Sequence, residues 1–203
     1  MDQKIRFLGC GTGKCGSVSL SKLVGGCKGI TIKHEGQLKD GLLPYVYDRG
    51  RIDDVLKRFR ENYGEVGFYY LPYIPNFIQA FPDIKIICLQ RDIESTYLSY
   101  VNTSLANHPW ALDIEGFFDP NPIWDECYPK YGSHRDWEFK PAFYRFWYDY
   151  YHRAGVYEKL WTNFKIFPME ALNSRKGQKA IFDFIGIPKV NRVYKKECVY
   201  NVT

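Results

Sequence analysis

The chain has 203 residues, long enough for one domain with a substantial core, and its 25% charged and 45% hydrophobic residues exclude wholesale disorder. A net charge of +5 suits an anionic ligand, but the basic residues are scattered with no run of five or six, so no nucleic-acid partner is expected. No stretch approaches the roughly 20 apolar residues of a membrane span, so no membrane association is expected either.

The first apolar run, Ile5 to Leu8, has the length of a strand and ends in glycines, unlike a secretion signal. Gly9 to Gly16 follows as a loop. Ser17 to Val24 has helical potential, with Leu20, Leu23 and Val24 on one face and Gly25-Gly26 as the stop. Ile30-Thr31-Ile32 predicts a second strand that runs into Lys33-His34-Glu35. Ile52, Val55, Leu56, Phe59 and Tyr63 recur at helical spacing and predict an amphipathic helix. Phe68 to Leu71 predicts a buried strand before Pro72, and Ile84 to Leu89 predicts the strongest strand of the chain.

A helix is predicted next, with Tyr97, Leu98, Val101 and Leu105 facing inward, ending before Pro109. Residues 107–136 carry Pro109, Pro120, Pro122 and Pro129 and predict an irregular span, of the kind that often serves function. Its aromatic residues, among them Trp110, Phe117, Phe118 and Trp124, suit an acceptor wall or a satellite core. Phe143, Phe146, Trp147, Tyr150, Ala154, Tyr157 and Trp161 then form one stripe of a long helix. Tyr144, Tyr148 and Tyr151 form a second, which predicts a helix covered on two sides. Lys165-Ile166-Phe167 reads as a last strand. A final helix follows the Asn173-Ser174 cap, carries Ala180, Ile181, Phe184 and Ile185, and stops at Gly186 and Pro188. Strands alternating with helices predict an α/β fold of three layers around a central parallel sheet, in a single domain over 1–203. Ligands of such sheets lie outside the carboxyl ends of the strands.

The loop after the first strand is a device for holding anions: backbone N–H groups and a helix N-terminus converge where glycine lets the chain come close. As a Walker A loop it fails, because Leu8 stands where the first glycine belongs and Cys15 replaces the hydroxyl that would hold Mg²⁺. Gly11-Thr12-Gly13-Lys14-Cys15-Gly16 does satisfy GxGxxG, and Glu35 ends the second strand in the place of a ribose-binding acid, so a dinucleotide-binding oxidoreductase is one reading.

A third reading follows from the residues that come next. Gly11-Thr12-Gly13-Lys14-Cys15-Gly16-Ser17-Val18-Ser19-Leu20 resembles the 5′-phosphosulfate loop of sulfotransferases that use 3′-phosphoadenosine-5′-phosphosulfate (PAPS), departing at Val18, where many members carry a hydroxyl. The strand Ile84 to Leu89 runs into Gln90-Arg91-Asp92, with Ser99 eight positions after Arg91 and Tyr100 behind it. This segment is similar to the 3′-phosphate motif of the same family, with Ile93 where a proline is usual. The segment from Phe167 to Pro188 looks like the one that closes the family's core. The resemblance implies the P-loop-like sulfotransferase fold, PAPS as sulfuryl donor, adenosine 3′,5′-bisphosphate (PAP) as product, and no required metal.

On that resemblance the nucleotide is bound by Gly11, Thr12, Gly13, Lys14, Cys15, Gly16, Ser17, Val18 and Ser19 at its 5′ end and by Arg91 and Ser99 at its 3′-phosphate. Lys14 is the cation for the leaving phosphate. The base is Glu35, with His34 orienting it or acting in its place, since neighbours in a strand face opposite ways. The acceptor is a hydroxyl or amine of a carbohydrate or small metabolite. A module that binds PAPS or PAP without transfer is an alternative. Arg175-Lys176-Gly177 is expected to be a solvated helix start. The six cysteines form no CxxC pair, which suits reduced thiols in a cytoplasm.

Overall fold

The computed structural model describes residues 4–36, 49–104 and 139–196. Five parallel strands form one sheet: β1 (Arg6–Cys10), β2 (Thr31–His34), β3 (Tyr63–Val66), β4 (Lys85–Gln90) and β5 (Phe164–Pro168), in the spatial order β2-β3-β1-β4-β5. Parallel strands need crossovers, and among the described residues five helices lie between successive strands, α1 (Ser17–Gly25), α2 (Arg49–Arg58), α3 (Ile74–Ala80), α4 (Ile93–Ser104) and α5 (Phe139–Leu160), while α6 (Arg175–Ile185) follows β5.

Alternation along the two central strands shows why both sheet faces are covered. Leu8 and Cys10 of β1 and Ile86 and Cys88 of β4 point to one side, where they pack with α2, α3, α4 and the aromatic stripe of α5. Phe7 of β1 and Ile87 and Leu89 of β4 point to the other, against Leu20, Leu23 and Val24 of α1 and Ile181 and Phe182 of α6. All of these side chains are fully buried. Each aliphatic or aromatic one contributes about 1.5–3 kcal/mol by leaving water, which is why the central strands read as continuous apolar runs.

Between residues 59 and 80 the structure differs from the sequence expectation. The helix that was expected to carry Tyr63 ends at Arg58, and Tyr63 instead opens β3 beside β1 and β2. Phe68–Tyr73 is a 3₁₀ turn rather than a strand, and it leads directly into α3, whose N1/N2 region takes a proline. Tyr69, Tyr70 and Leu71 are buried as expected, but through this turn. Burial alone does not separate a short strand from a tight helical turn. Tyr-Gly-Glu-Val has neither length nor alternation to announce itself, and its Gly64 is required by the flanking strands. A Cβ there would lie 2.5 Å from the Phe7 carbonyl oxygen.

Two helix faces also differ. Leu98, expected to face inward, is 53% exposed; Thr96 and Tyr100 are the buried residues of α4. On α5, Tyr151 is buried but Tyr148 is 61% exposed, so the second stripe is covered only in part. At the end of the chain the expected signals hold. Ser174 accepts a hydrogen bond from the Gly177 N–H, and Gly186 takes the left-handed conformation as the cap residue after α6. Arg175 and Lys176 are exposed at the helix start. The proline-rich span 107–136 and its aromatic residues lie outside the described residues.

Candidate active site

The carboxyl ends of β1 and β4 lie side by side, with Cys10 in register with Cys88. From β1 the chain crosses to β2 on one side, and from β4 to β5 on the other, so a crevice opens between the two exit loops. The loop after β1 uses three positive-φ glycines, Gly11 (151°), Gly13 (83°) and Gly16 (94°). Gly16 then serves as the N-cap of α1 without any side chain capping the helix. The first N–H groups of a helix have no partner within it, so the end of the loop presents amides and the positive pole of α1 together.

Lys14 is also left-handed, with φ of 51°. Its side chain is half-buried. Burial pushes its ammonium below the ordinary lysine value, and the Glu35 carboxylate pulls it part of the way back. Its carbonyl accepts a hydrogen bond of 2.9 Å from Arg91 Nη1, which ties the loop to the end of β4. The expected 3′-phosphate arginine therefore has one nitrogen on the loop itself. Trp147 Nε1 donates to the Arg91 carbonyl at 3.2 Å and fixes that residue from α5. Asp92 caps α4, accepting from the Ser95 N–H at 2.9 Å, and Ser99 is half-buried on the same helix.

Strand alternation would send His34 and Glu35 to opposite sides, but β2 ends at His34 and the chain turns there. Glu35 adopts φ of 49°, while its N–H donates to the Val66 carbonyl at 2.9 Å. Both residues then reach the loop. His34 Nε2 lies 3.0 Å from Ser17 Oγ, at the first turn of α1, and Glu35 acts electrostatically on Lys14. Among the described residues, Lys14, Glu35 and Asn62 are the non-glycine positions with positive φ. Asn tolerates that region; Lys and Glu do not, and such strain concentrates at functional sites.

The remaining loop residues turn inward. Thr12 and Cys15 are fully buried, and burial pushes the Cys15 thiol up to about 12, so it stays a neutral apolar group. Cys15 can offer an anion only backbone, and the Thr12 carbonyl and hydroxyl already face Tyr100 and Tyr151. Ser19 is 3% exposed, which leaves Ser17 and Val18 at the half-buried opening of α1.

Two features escaped the sequence reading. Glu65 on β3 is fully buried and accepts hydrogen bonds from Tyr70 (2.6 Å) and Tyr63. Three tyrosines, Tyr100, Tyr150 and Tyr151, point their hydroxyls at the loop. Tyr100 follows Ser99 in the quoted motif, and that position was the available signal. Tyr150 and Tyr151 read only as core.

No family model matches the chain, and no curated protein matches it. Among solved structures it is similar to the crystal structure of mouse sulfotransferase SULT7A1 complexed with PAP, at a TM-score of 0.56 and 16% sequence identity. The likeness covers 92% of this chain and 60% of the mouse chain, so this chain spans less than two thirds of that neighbour's length. At this identity the likeness shows the fold: a five-stranded parallel sheet between helical layers, as in the sulfotransferase.

Proposed function

We propose that the protein is a sulfotransferase that binds PAPS across the β1 and β4 exit loops and transfers its sulfuryl group to a hydroxyl or amine of a carbohydrate or small metabolite. The observation that carries this reading is that Lys14 and Glu35, both in left-handed backbone, follow the carboxyl ends of β1 and β2, where the Glu35 carboxylate acts electrostatically on the Lys14 ammonium. The mouse neighbour, crystallised with PAP, supports the choice of nucleotide.

The residues present fit that nucleotide. A helix start without a side-chain cap, a loop bent into it by positive-φ glycines, and Lys14 offer a cationic cradle for a 5′-phosphate. Arg91, at the exit of β4, and Ser99, on α4, would serve a 3′-phosphate. Bound there, PAPS would supply the activated sulfuryl group. Lys14 would neutralise charge on the leaving phosphate, and Glu35 would take the acceptor's proton. His34 holds the Ser17 hydroxyl at the mouth of the cradle. The buried thiols Cys10, Cys15, Cys27 and Cys88 suit a reducing compartment such as a cytoplasm.

The test is a thermal-shift and turnover pair. PAP should stabilise the protein without Mg²⁺, by about 2.7 kcal/mol at a hundredfold excess over its dissociation constant. Equal shifts from PAP and 5′-AMP would sink the 3′-phosphate site. Binding of PAP without transfer from PAPS to any of a panel of sugars, phenols and amines would leave a nucleotide-binding module in place of an enzyme.

A further inference from the structure

Tyr100, on α4, donates its hydroxyl to the Thr12 carbonyl at 2.6 Å. Tyr150, on α5, accepts from the Gly11 N–H at 2.9 Å and donates to the Phe68 carbonyl at 3.1 Å. Tyr151, beside it, donates to the Leu89 carbonyl at 2.7 Å and lies 3.3 Å from Thr12 Oγ1. All three side chains are buried. Neighbours on a helix lie about 100° apart, so Tyr150 and Tyr151 straddle the loop from one turn of α5.

We infer that Tyr100, Tyr150 and Tyr151 are positioning residues that clamp the first half of the loop, so that an anion meets only the stretch from Gly13 to Ser17. The Gly11 N–H and the Thr12 carbonyl and hydroxyl face the clamp and are withdrawn from any ligand. A loop shortened in this way cradles one terminal phosphate group, in contrast to the extended wrap around a triphosphate chain. Gly13 records how close the clamp sits: a Cβ there would lie 2.2 Å from the Tyr100 hydroxyl oxygen. Tyr100 also follows Ser99 on α4, so one helix both carries a 3′-phosphate residue and holds the 5′-phosphate loop. The inference rests on the reading of this site as a PAPS site.

The experiment uses the full chain and three probes, PAP, 5′-AMP and 3′-AMP, with dissociation constants from calorimetry. Tyr150→Phe and Tyr151→Phe keep the rings and remove the hydroxyls. Each should lower the gain from the 5′-phosphate, the ratio of the 3′-AMP to the PAP constant, by roughly 3- to 10-fold. The gain from the 3′-phosphate, the ratio for 5′-AMP over PAP, should stay at its wild-type value. A residue with only a packing role would lower the melting temperature and leave both ratios unchanged, and that result would overturn the inference. If wild-type protein binds PAP no better than either monophosphate, the PAPS reading fails instead. Should one variant not fold, the other carries the same comparison.

Discussion

Lys14 combines three unfavourable or demanding features: a left-handed backbone, a half-buried ammonium and a carbonyl pinned by Arg91. Its folded pKa is lowered, so the unfolded chain binds the proton more tightly, and wild-type stability rises as pH climbs through the folded value towards 10.5. Lys14→Met should lack that rise and lose no stability at pH 7, while turnover falls about 10²–10³-fold. Denaturant melts across pH 7 to 10.5 check the first claim, and a strong loss of stability at pH 7 would refute it. Glu35 sits in the companion position. Glu35→Gln should lower turnover about 10²–10⁴-fold and leave PAP affinity near wild type. If that variant is fully active and His34→Ala is dead, the proton acceptor is His34, reaching past Ser17.

Helix caps set the element scale, and the two that matter here differ in charge. Asp92 holds the start of α4, where the Ser95 N–H depresses its carboxyl below the ordinary value of 3.8. A depressed carboxyl stabilises above its unfolded pKa, and that contribution is lost as pH falls through the folded value. Asp92→Ala should therefore melt below wild type at pH 7, with the gap closing below pH 3.8; a gap constant with pH would reject the charged cap. Ser174 holds α6 by an uncharged hydroxyl. Ser174→Ala should cost about 1 kcal/mol at every pH tested. The Ser174 cap was legible because a cap needs only a local side chain and the next turn of backbone. The 3₁₀ turn at Phe68–Tyr73 and the short β3 were not, since their hydrogen-bond partners lie on strands remote in sequence.

At the scale of the whole molecule, the two apolar clusters share β1 and β4, so neither face can open without exposing the back of the other. We expect a single cooperative transition over the whole chain. Tyrosine and tryptophan fluorescence, to which Trp147 and the tyrosines of α5 contribute, should track far-UV circular dichroism through urea unfolding. Separate midpoints would show that the faces unfold independently. The sheet also decides which loops meet. In the order β2-β3-β1-β4-β5, the exit of β1 has the exit of β4 as neighbour, and β3 brings the end of β2 within reach of the same loop.

The residues themselves determined the strand-loop-helix at the start, the strand that runs into Arg91, the last helix with both caps, and the parallel α/β class. Each of these rests on short-range periodicity, on glycine and cap chemistry, or on a motif contiguous in the chain. Tertiary structure alone decided that Glu35 leaves β2 left-handed, that Arg91 bonds to Lys14, and that three tyrosines from α4 and α5 meet Gly11 and Thr12. Those contacts join residues 77 to 139 positions apart. A hydrophobic pattern says that a side chain is buried; where its hydroxyl points depends on the element packed against it.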